Sequence, residues 1–348
     1  MTIRLPDLRL DVDGAYGDAS FATRLAAISR DITPDSYGEG ALIRECEAKL
    51  AKALGKERAV IFATGTLANF LALDRLCGRD ARRVLLHPDS HILNDTGDSL
   101  VAGAGITPIV AATTGPGFAA KALTDALARA QDGKVRRSIG ALVIETPVRR
   151  RHGEMFPAAQ MEAVITAAKK AGVALHLDGA RLPIASAARG IAMADFAEPF
   201  DTVYLSLWKM LGLPFGAVLA GPAALLDGIE RDRRLHGGAL PQFWPIAALV
   251  LAELDKLEPN WARAMVWRQT FERALTEAGF AIRPSGAETT STFWLVTPGP
   301  ASAFKAACKE AGIILGEASG DAVLLRANPT LLEIDPGELA RRLAAIKL

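Results

Sequence analysis

The chain has 348 residues, half of them hydrophobic and 23% charged, so it can bury a substantial core and does not read as disordered. Its formal net charge of +1 points away from nucleic acid and from anionic membrane surfaces. Three scattered cysteines, Cys46, Cys77 and Cys308, argue against a disulfide framework or a zinc site and for a reducing compartment, the cytoplasm.

The opening MTIRLPDLRLDVD mixes acids and bases with no apolar core, unlike a signal peptide. The first 35 or so residues read as an irregular arm with one helix, Ser20 to Arg30. Apolar spacing predicts a helix over Ala41 to Leu54 with Gly55 as its stop, then a strand over Ala59 to Ala63. Thr64-Gly65-Thr66 follows, and Leu67 to Leu76 reads as a helix. A strand, a tight turn and a helix amino terminus make an anion site, with Gly65 and Thr66 as candidate ligands of a phosphate. Arg83 to His87 is the next strand and delivers HPDSHI to the same sheet edge. The longest uncharged run, Ser99 to Ala120, is broken by four glycines and two prolines, so it is not a membrane span.

A helix over Leu123 to Ala130 precedes a strand over Ile139 to Thr146, with Glu145 at its end. VRRRH at Val148 to His152 reads as a solvated loop. Pro157 to Ala171 is helical, with Gly172 as its stop. Strands then fall at Val173 to Leu177 and Thr202 to Leu205. This alternation implies an α/β fold with a mostly parallel central sheet flanked by helices. After Gly221 the pattern changes to a smaller C-terminal α+β lobe: helices at Pro245 to Leu257 and Ala262 to Ala278, a strand at Thr292 to Val296, a helix at Ala301 to Ala311, a strand at Ala322 to Arg326, and a last helix from Asp335. The expected division is residues 1–240, arm and large domain, and 241–348, linking helix and small domain.

Asp178 closes one strand and Lys209 follows another, 31 positions later. In open α/β sheets ligands bind beyond the carboxyl ends of the strands, so this carboxylate and this amine can face one crevice. A lysine among Trp208, Met210 and Leu211 should lose some preference for its charged form, and a neutral amine can form a Schiff base. Pyridoxal phosphate is the carbonyl cofactor that needs such an amine, together with an acid against its pyridine nitrogen, for which Asp178 is the candidate. Singly, each residue has a plainer role as a turn or a solvated strand end. No G-x-G-x-x-G follows the first strand and no G-x-x-x-x-G-K is present, which excludes the common dinucleotide and nucleoside triphosphate motifs. Of the five histidines, His87 and His176 read as strand caps, His152 as a loop residue and His236 as part of a Gly-rich turn.

HLDGAR at His176 to Arg181 and KMLGLPFGAVLAG from Lys209 resemble segments of the threonine aldolase and β-eliminating lyase family, pyridoxal phosphate enzymes of the aspartate aminotransferase fold. DSYGEG at Asp35 to Gly40, TGTLAN at Thr64 to Asn69 and PDSHI at Pro88 to Ile92 resemble further family segments in the same order. The resemblance implies a lyase cleaving the Cα–Cβ bond of a β-hydroxy-α-amino acid to glycine and an aldehyde. It implies Lys209 as the cofactor lysine, Asp178 on the ring nitrogen, His91 stacked on the ring, and Gly65 and Thr66 on the phosphate. Arg181 would serve both cofactor and substrate, and with Arg326 would grip the substrate carboxylate. No metal is implied, the base is His91 or a bound water, and a homodimer or homotetramer with its site between subunits is expected.

Four departures stand against that pattern. Leu10 falls where the family has a carboxylate-binding serine, Trp208 where many members have serine, Thr96 near an acidic position and Pro241 at an arginine, although Arg234 keeps a basic position before it. Leu10 is expected to line an apolar pocket that, with Trp208, favours a bulky β substituent. β-Elimination or transamination with the same cofactor stays open, as does a cofactor-binding protein whose substrate pocket has decayed.

Overall fold

The computed structural model describes residues 8–13, 21–28, 31–288 and 290–348. Of the helix expected over Ser20 to Arg30, Phe21–Ala26 is helical, while Ser20, Ser29 and Arg30 lie outside the described residues, as does the arm before Leu8. The strands are β1 (Leu8–Leu10), β2 (Arg58–Phe62), β3 (Arg83–Leu86), β4 (Thr107–Val110), β5 (Ala141–Glu145), β6 (Ala174–Asp178), β7 (Thr202–Ser206) and β8 (Ala217–Gly221). Beyond a long helix come β9 (Ile282–Pro284), β10 (Thr292–Val296), β11 (Ile313–Leu315), β12 (Ala318–Ser319) and β13 (Ala322–Arg326).

Seven strands form the main sheet in the order β2-β8-β7-β6-β5-β3-β4. All neighbours are parallel except β8, which runs antiparallel to both β2 and β7. The expected mostly parallel α/β sheet is therefore present. Strands β5, β7 and β8 are buried at every position, as both-face burial requires. Alternation sorts their side chains: Ile61, Ile144, Leu177 and Leu205 pack on one face, while Val60, Phe62, Val143 and Tyr204 pack on the other. A third core fills the small lobe, and Cys46, Cys77 and Cys308 are buried one in each of the three. The carboxyl ends of β2, β3, β5, β6 and β7 share one edge, which gathers Thr64, His87, Glu145, Asp178 and Ser206.

The two helices expected at Pro245 to Leu257 and Ala262 to Ala278 are one, Trp244–Glu277, with Pro259 inside it. An interior proline costs about 3 kcal/mol. Here Pro259 is exposed, so water can take the carbonyl it leaves. The cost is offset because the apolar stripe runs through the proline without a change of face: Leu254, Leu257, Trp261 and Ala264 join the large-lobe core, and Trp267, Phe271 and Leu275 the small one. Asp35, from the DSYGEG segment, caps this helix by accepting from the N–H groups of Phe243 (2.8 Å) and Trp244 (2.7 Å).

The small-lobe sheet is antiparallel, in the order β12-β13-β10-β9. The amino-terminal β1 joins the same lobe, pairing parallel with β11 in a separate two-stranded sheet so that Leu10 lies opposite Leu315. Leu10 is fully buried among Phe271, Phe293 and Leu325. The expectation that Leu10 lines a substrate pocket is thus overturned: pairing with β11 turns its side chain into the small-lobe core.

Candidate active site

Thr202 to Ser206 is an apolar, partly β-branched run that forms buried β7, and Ser206 then starts the helix Leu207–Leu211 by accepting from the Lys209 N–H (3.4 Å). Arg24 closes the other end of that helix, donating to the carbonyls of Leu211 (2.7 Å) and Gly212 (2.8 Å) while paired with Glu253. Lys209 is therefore held at a strand-to-helix corner fixed at both ends. Its Nζ stands 5.4 Å from the centre of the Trp208 ring. Burial, reinforced by the charge of Arg181, pulls the amine down to about 8, with Asp178, Asp13 and Glu145 opposing. Near neutral pH an appreciable fraction of the amine is therefore neutral.

A cavity of about 440 Å³ joins Lys209 to His91, Arg181, Arg326, Trp208, Asp13 and Asp95, with Asp11, Val12 and Arg149 also on its wall. Four of the expected site residues thus line one space. Asp178 is not on the cavity wall; it is buried at the end of β6, in the sheet that floors the site, its carboxylate accepting from Asn69 Nδ2 (3.0 Å) and from the Ala180 N–H (3.3 Å). Asn69 Oδ1 is in turn 2.9 Å from His176 Nε2, and His176 Nδ1 is 2.8 Å from Thr202 Oγ1. Because the Asn69 amide donates to Asp178, its oxygen must accept, so the His176 proton sits on Nε2 and Thr202 donates to Nδ1. Burial lowers His176 to about 4 and keeps it neutral, with Asp178 opposing. His176 is therefore not a strand cap but the middle of a buried relay, because its side chain falls on the sheet face that the helix Gly65–Cys77 covers.

Gly65 and Thr66 open that helix, and Thr64 Oγ1 caps it by accepting from the Leu67 N–H (3.3 Å). The N–H groups of the first turn have no intrahelical partner. A side chain on Gly65 would strike the Tyr204 hydroxyl, its Cβ at 2.0 Å, so packing alone demands glycine there.

Glu145 pairs in register with Asp178 on the neighbouring strand and accepts from the N–H groups of His91 (2.6 Å) and Arg149 (3.0 Å). Burial first, then the charge of Asp178, pushes its carboxyl upward. His91 opens the short helix His91–Asn94, and its Nδ1 lies 3.1 Å from Asp95. Asp95 also accepts from Arg149 (3.2 Å) and Arg150 (2.7 Å), and these hydrogen bonds, Arg150 foremost, hold its carboxyl down at about 2. Thr96 donates to the Ile92 carbonyl (2.7 Å), so the acid beside His91 is its neighbour Asp95. VRRRH is more than a solvated loop, since Arg149 and Arg150 brace this acid and Arg149 lines the cavity.

Arg181 and Arg326 are brought together as expected, but around a residue that sequence reasoning missed. Asp13 accepts from Arg181 Nε (2.8 Å) and pairs with Arg326. Burial alone would raise its carboxyl, and the two guanidinium groups outweigh burial and hold it well below the usual carboxylate range. Asp95 had a readable signal, its i, i+4 spacing from His91. Asp13 had none, because it lies past the end of β1 in a stretch without periodicity.

The family model for beta-eliminating lyases matches residues 17–298. Probable low-specificity L-threonine aldolase 2 of Arabidopsis thaliana is 27% identical over 277 residues, covering 78% of this chain and 77% of that protein. The low specificity L-threonine aldolase of Escherichia coli (strain K12) is 28% identical over 262 residues, covering 74% of each. Among solved structures, that of a putative L-allo-threonine aldolase from Listeria monocytogenes EGD-E superposes with a TM-score of 0.80 at 26% identity, covering 97% of this chain and 95% of that one.

Proposed function

The chain belongs to the beta-eliminating lyase family, and from that premise we propose that it is a pyridoxal phosphate lyase that cleaves a β-hydroxy-α-amino acid between Cα and Cβ, giving glycine and an aldehyde. The observation that carries this reading is Lys209, an amine lowered to about 8 in a cavity shared with Arg181 and Arg326 and acted on by the charge of Asp178. The donor set suits the cofactor: an amine pushed toward its neutral form, a buried carboxylate whose charge acts on it, and the helix amino terminus at Gly65 and Thr66 for a phosphate. When bound, pyridoxal phosphate supplies an electrophilic carbonyl and an electron sink.

In this reading Asp178 holds its negative charge toward the pyridine nitrogen, kept in place by Asn69 and His176. His91, on the cavity wall with Asp95 fixing Nδ1, would stand against the cofactor and leave Nε2 to take the β-hydroxyl proton. Arg181 and Arg326 would hold the substrate carboxylate and so fix the orientation of the amino acid in the cavity. Trp208, on the cavity wall, meets the β substituent. The proposal includes the division at 240/241, a homodimer or homotetramer and a cytoplasmic enzyme; no helix among the described residues is long and apolar enough to cross a membrane.

Borohydride reduction of protein supplied with the cofactor should fix it on Lys209, and glycine should be released from a panel of β-hydroxy amino acids. An adduct elsewhere, or none, ends the cofactor reading. Pyruvate and ammonia in place of glycine would make the reaction a β-elimination.

A further inference from the structure

Arg181 and Arg326 come from opposite lobes, one just past β6 and the other at the end of β13. The carboxylate between them, Asp13, comes from a third place, the segment that leaves the small-lobe edge after Leu10. Arg181 donates to Oδ2 through Nε (2.8 Å) and Nη2 (2.5 Å), and Arg326 pairs with Oδ1, so each oxygen is taken by one guanidinium. The side chains of Arg181, Asp13 and Arg326 are only 8%, 16% and 19% exposed. A group with the charge and the two-oxygen geometry of an α-carboxylate thus already spans the pair of arginines assigned above to the substrate.

We propose that Asp13 is a specificity-determining residue: a resident carboxylate that the α-carboxylate of an incoming amino acid must displace from Arg181 and Arg326. The inference rests on that substrate reading of the arginine pair. Two guanidinium groups held together out of water repel each other, and one carboxylate between them relieves the repulsion. A second carboxylate arriving while Asp13 stayed would set two anions side by side in the same poorly solvated space, so the two compete for the site. A tethered competitor acts at an effective concentration on the order of millimolar, enough to exclude a ligand that offers little beyond its carboxylate. Ligands with a β substituent, able to use the cavity wall at Trp208, recover what the competition takes away.

The test is calorimetric titration of the cofactor-loaded protein with glycine and with methylamine, which has the amine and lacks the carboxylate. Asp13→Ala should tighten glycine tenfold or more and leave methylamine within twofold. Asp13→Asn, which keeps the shape and loses the charge, should shift glycine the same way by less. Unchanged or weaker glycine binding in both variants overturns the proposal, as does equal tightening of methylamine or no glycine binding by any of the proteins. Failure of the underlying reading shows elsewhere, as the absence of a reducible adduct on Lys209 in the wild-type protein.

Discussion

The sheet that floors the site and the rim of its cavity hold carboxylates in opposite ways. Asp178 in the floor is reached through neutral groups, Thr202 to His176 to Asn69, all on the main sheet or on the helix packed against it. Asp13 at the rim is held by two full charges on residues from the two lobes. A neutral relay fixes direction and leaves the carboxylate its charge for use, whereas a charged clamp uses that charge up in holding the carboxylate. The floor therefore suits the proposed action on a bound group, and the rim suits the proposed competition for its arginines.

The sharpest way to break this contrast is Asp178→Asn. The amide keeps the shape and removes the charge, so cofactor binding should largely survive while turnover falls about hundredfold or more, roughly 3 kcal/mol of barrier. Steady-state kinetics beside the cofactor's absorbance would check it. Turnover within a factor of a few of wild type would reduce Asp178 to a turn residue.

The same contrast decides what could be read in the sequence. Asp178 and Gly65 lie within short contiguous segments, HLDGAR and TGTLAN, and Lys209 opens a third, KMLGLPFGAVLAG, so strand and helix periodicities make their places at strand ends and helix starts legible. Even there the role of His176 was misjudged, because burial within β6 depends on the helix laid over it and not on local spacing. The rim is assembled from residues 13, 181 and 326, and no local pattern encodes that meeting. Leu10 marks the same limit: its alignment pointed at the substrate, and only the pairing of β1 with β11 shows it facing the core.

Acid should separate the two regions along the pH axis. His176 stays neutral in the fold down to about 4, whereas the unfolded chain protonates it near 6.5. Between those values the unfolded state binds more protons, so stability falls as pH drops from 6.5 to 4, by at most about 1.4 kcal/mol per pH unit from this group. Asp13 has a depressed folded value, so its contribution is full above the unfolded carboxylate range and is lost only below about pH 4. Urea unfolding across pH should show His176→Gln flattening the upper window and Asp13→Asn the lower one. Both losses in a single window would contradict the division.

Cutting the floor relay at Asn69 tests whether it fixes direction. Asn69→Leu leaves Asp178 without its side-chain donor and His176 Nε2–H without an acceptor, a desolvation penalty of about 1–3 kcal/mol in stability. Turnover should fall about tenfold with KM little changed, since the proposed substrate contacts lie at the rim. A rise in KM with kcat preserved would place Asn69's influence at the rim instead.

The smallest effect should come from Asp95→Asn, which lies between the two regions. Asp95 is tied to Arg149 and Arg150, whose side chains are 50% and 41% exposed, so solvent screens the pairs and stability should change by less than about 1 kcal/mol. Its second tie, to His91 Nδ1, is the informative one. Asparagine can still accept from Nδ1–H, so the tautomer survives, but the hydrogen bond loses its charged acceptor and holds the ring less firmly. The expected result is a few-fold loss of kcat with KM for the amino acid nearly constant. If Asp95→Asn instead raised KM alone, Arg149, released from its acid, would be acting on the substrate, and the rim would extend one residue further around the cavity than the Asp13 clamp.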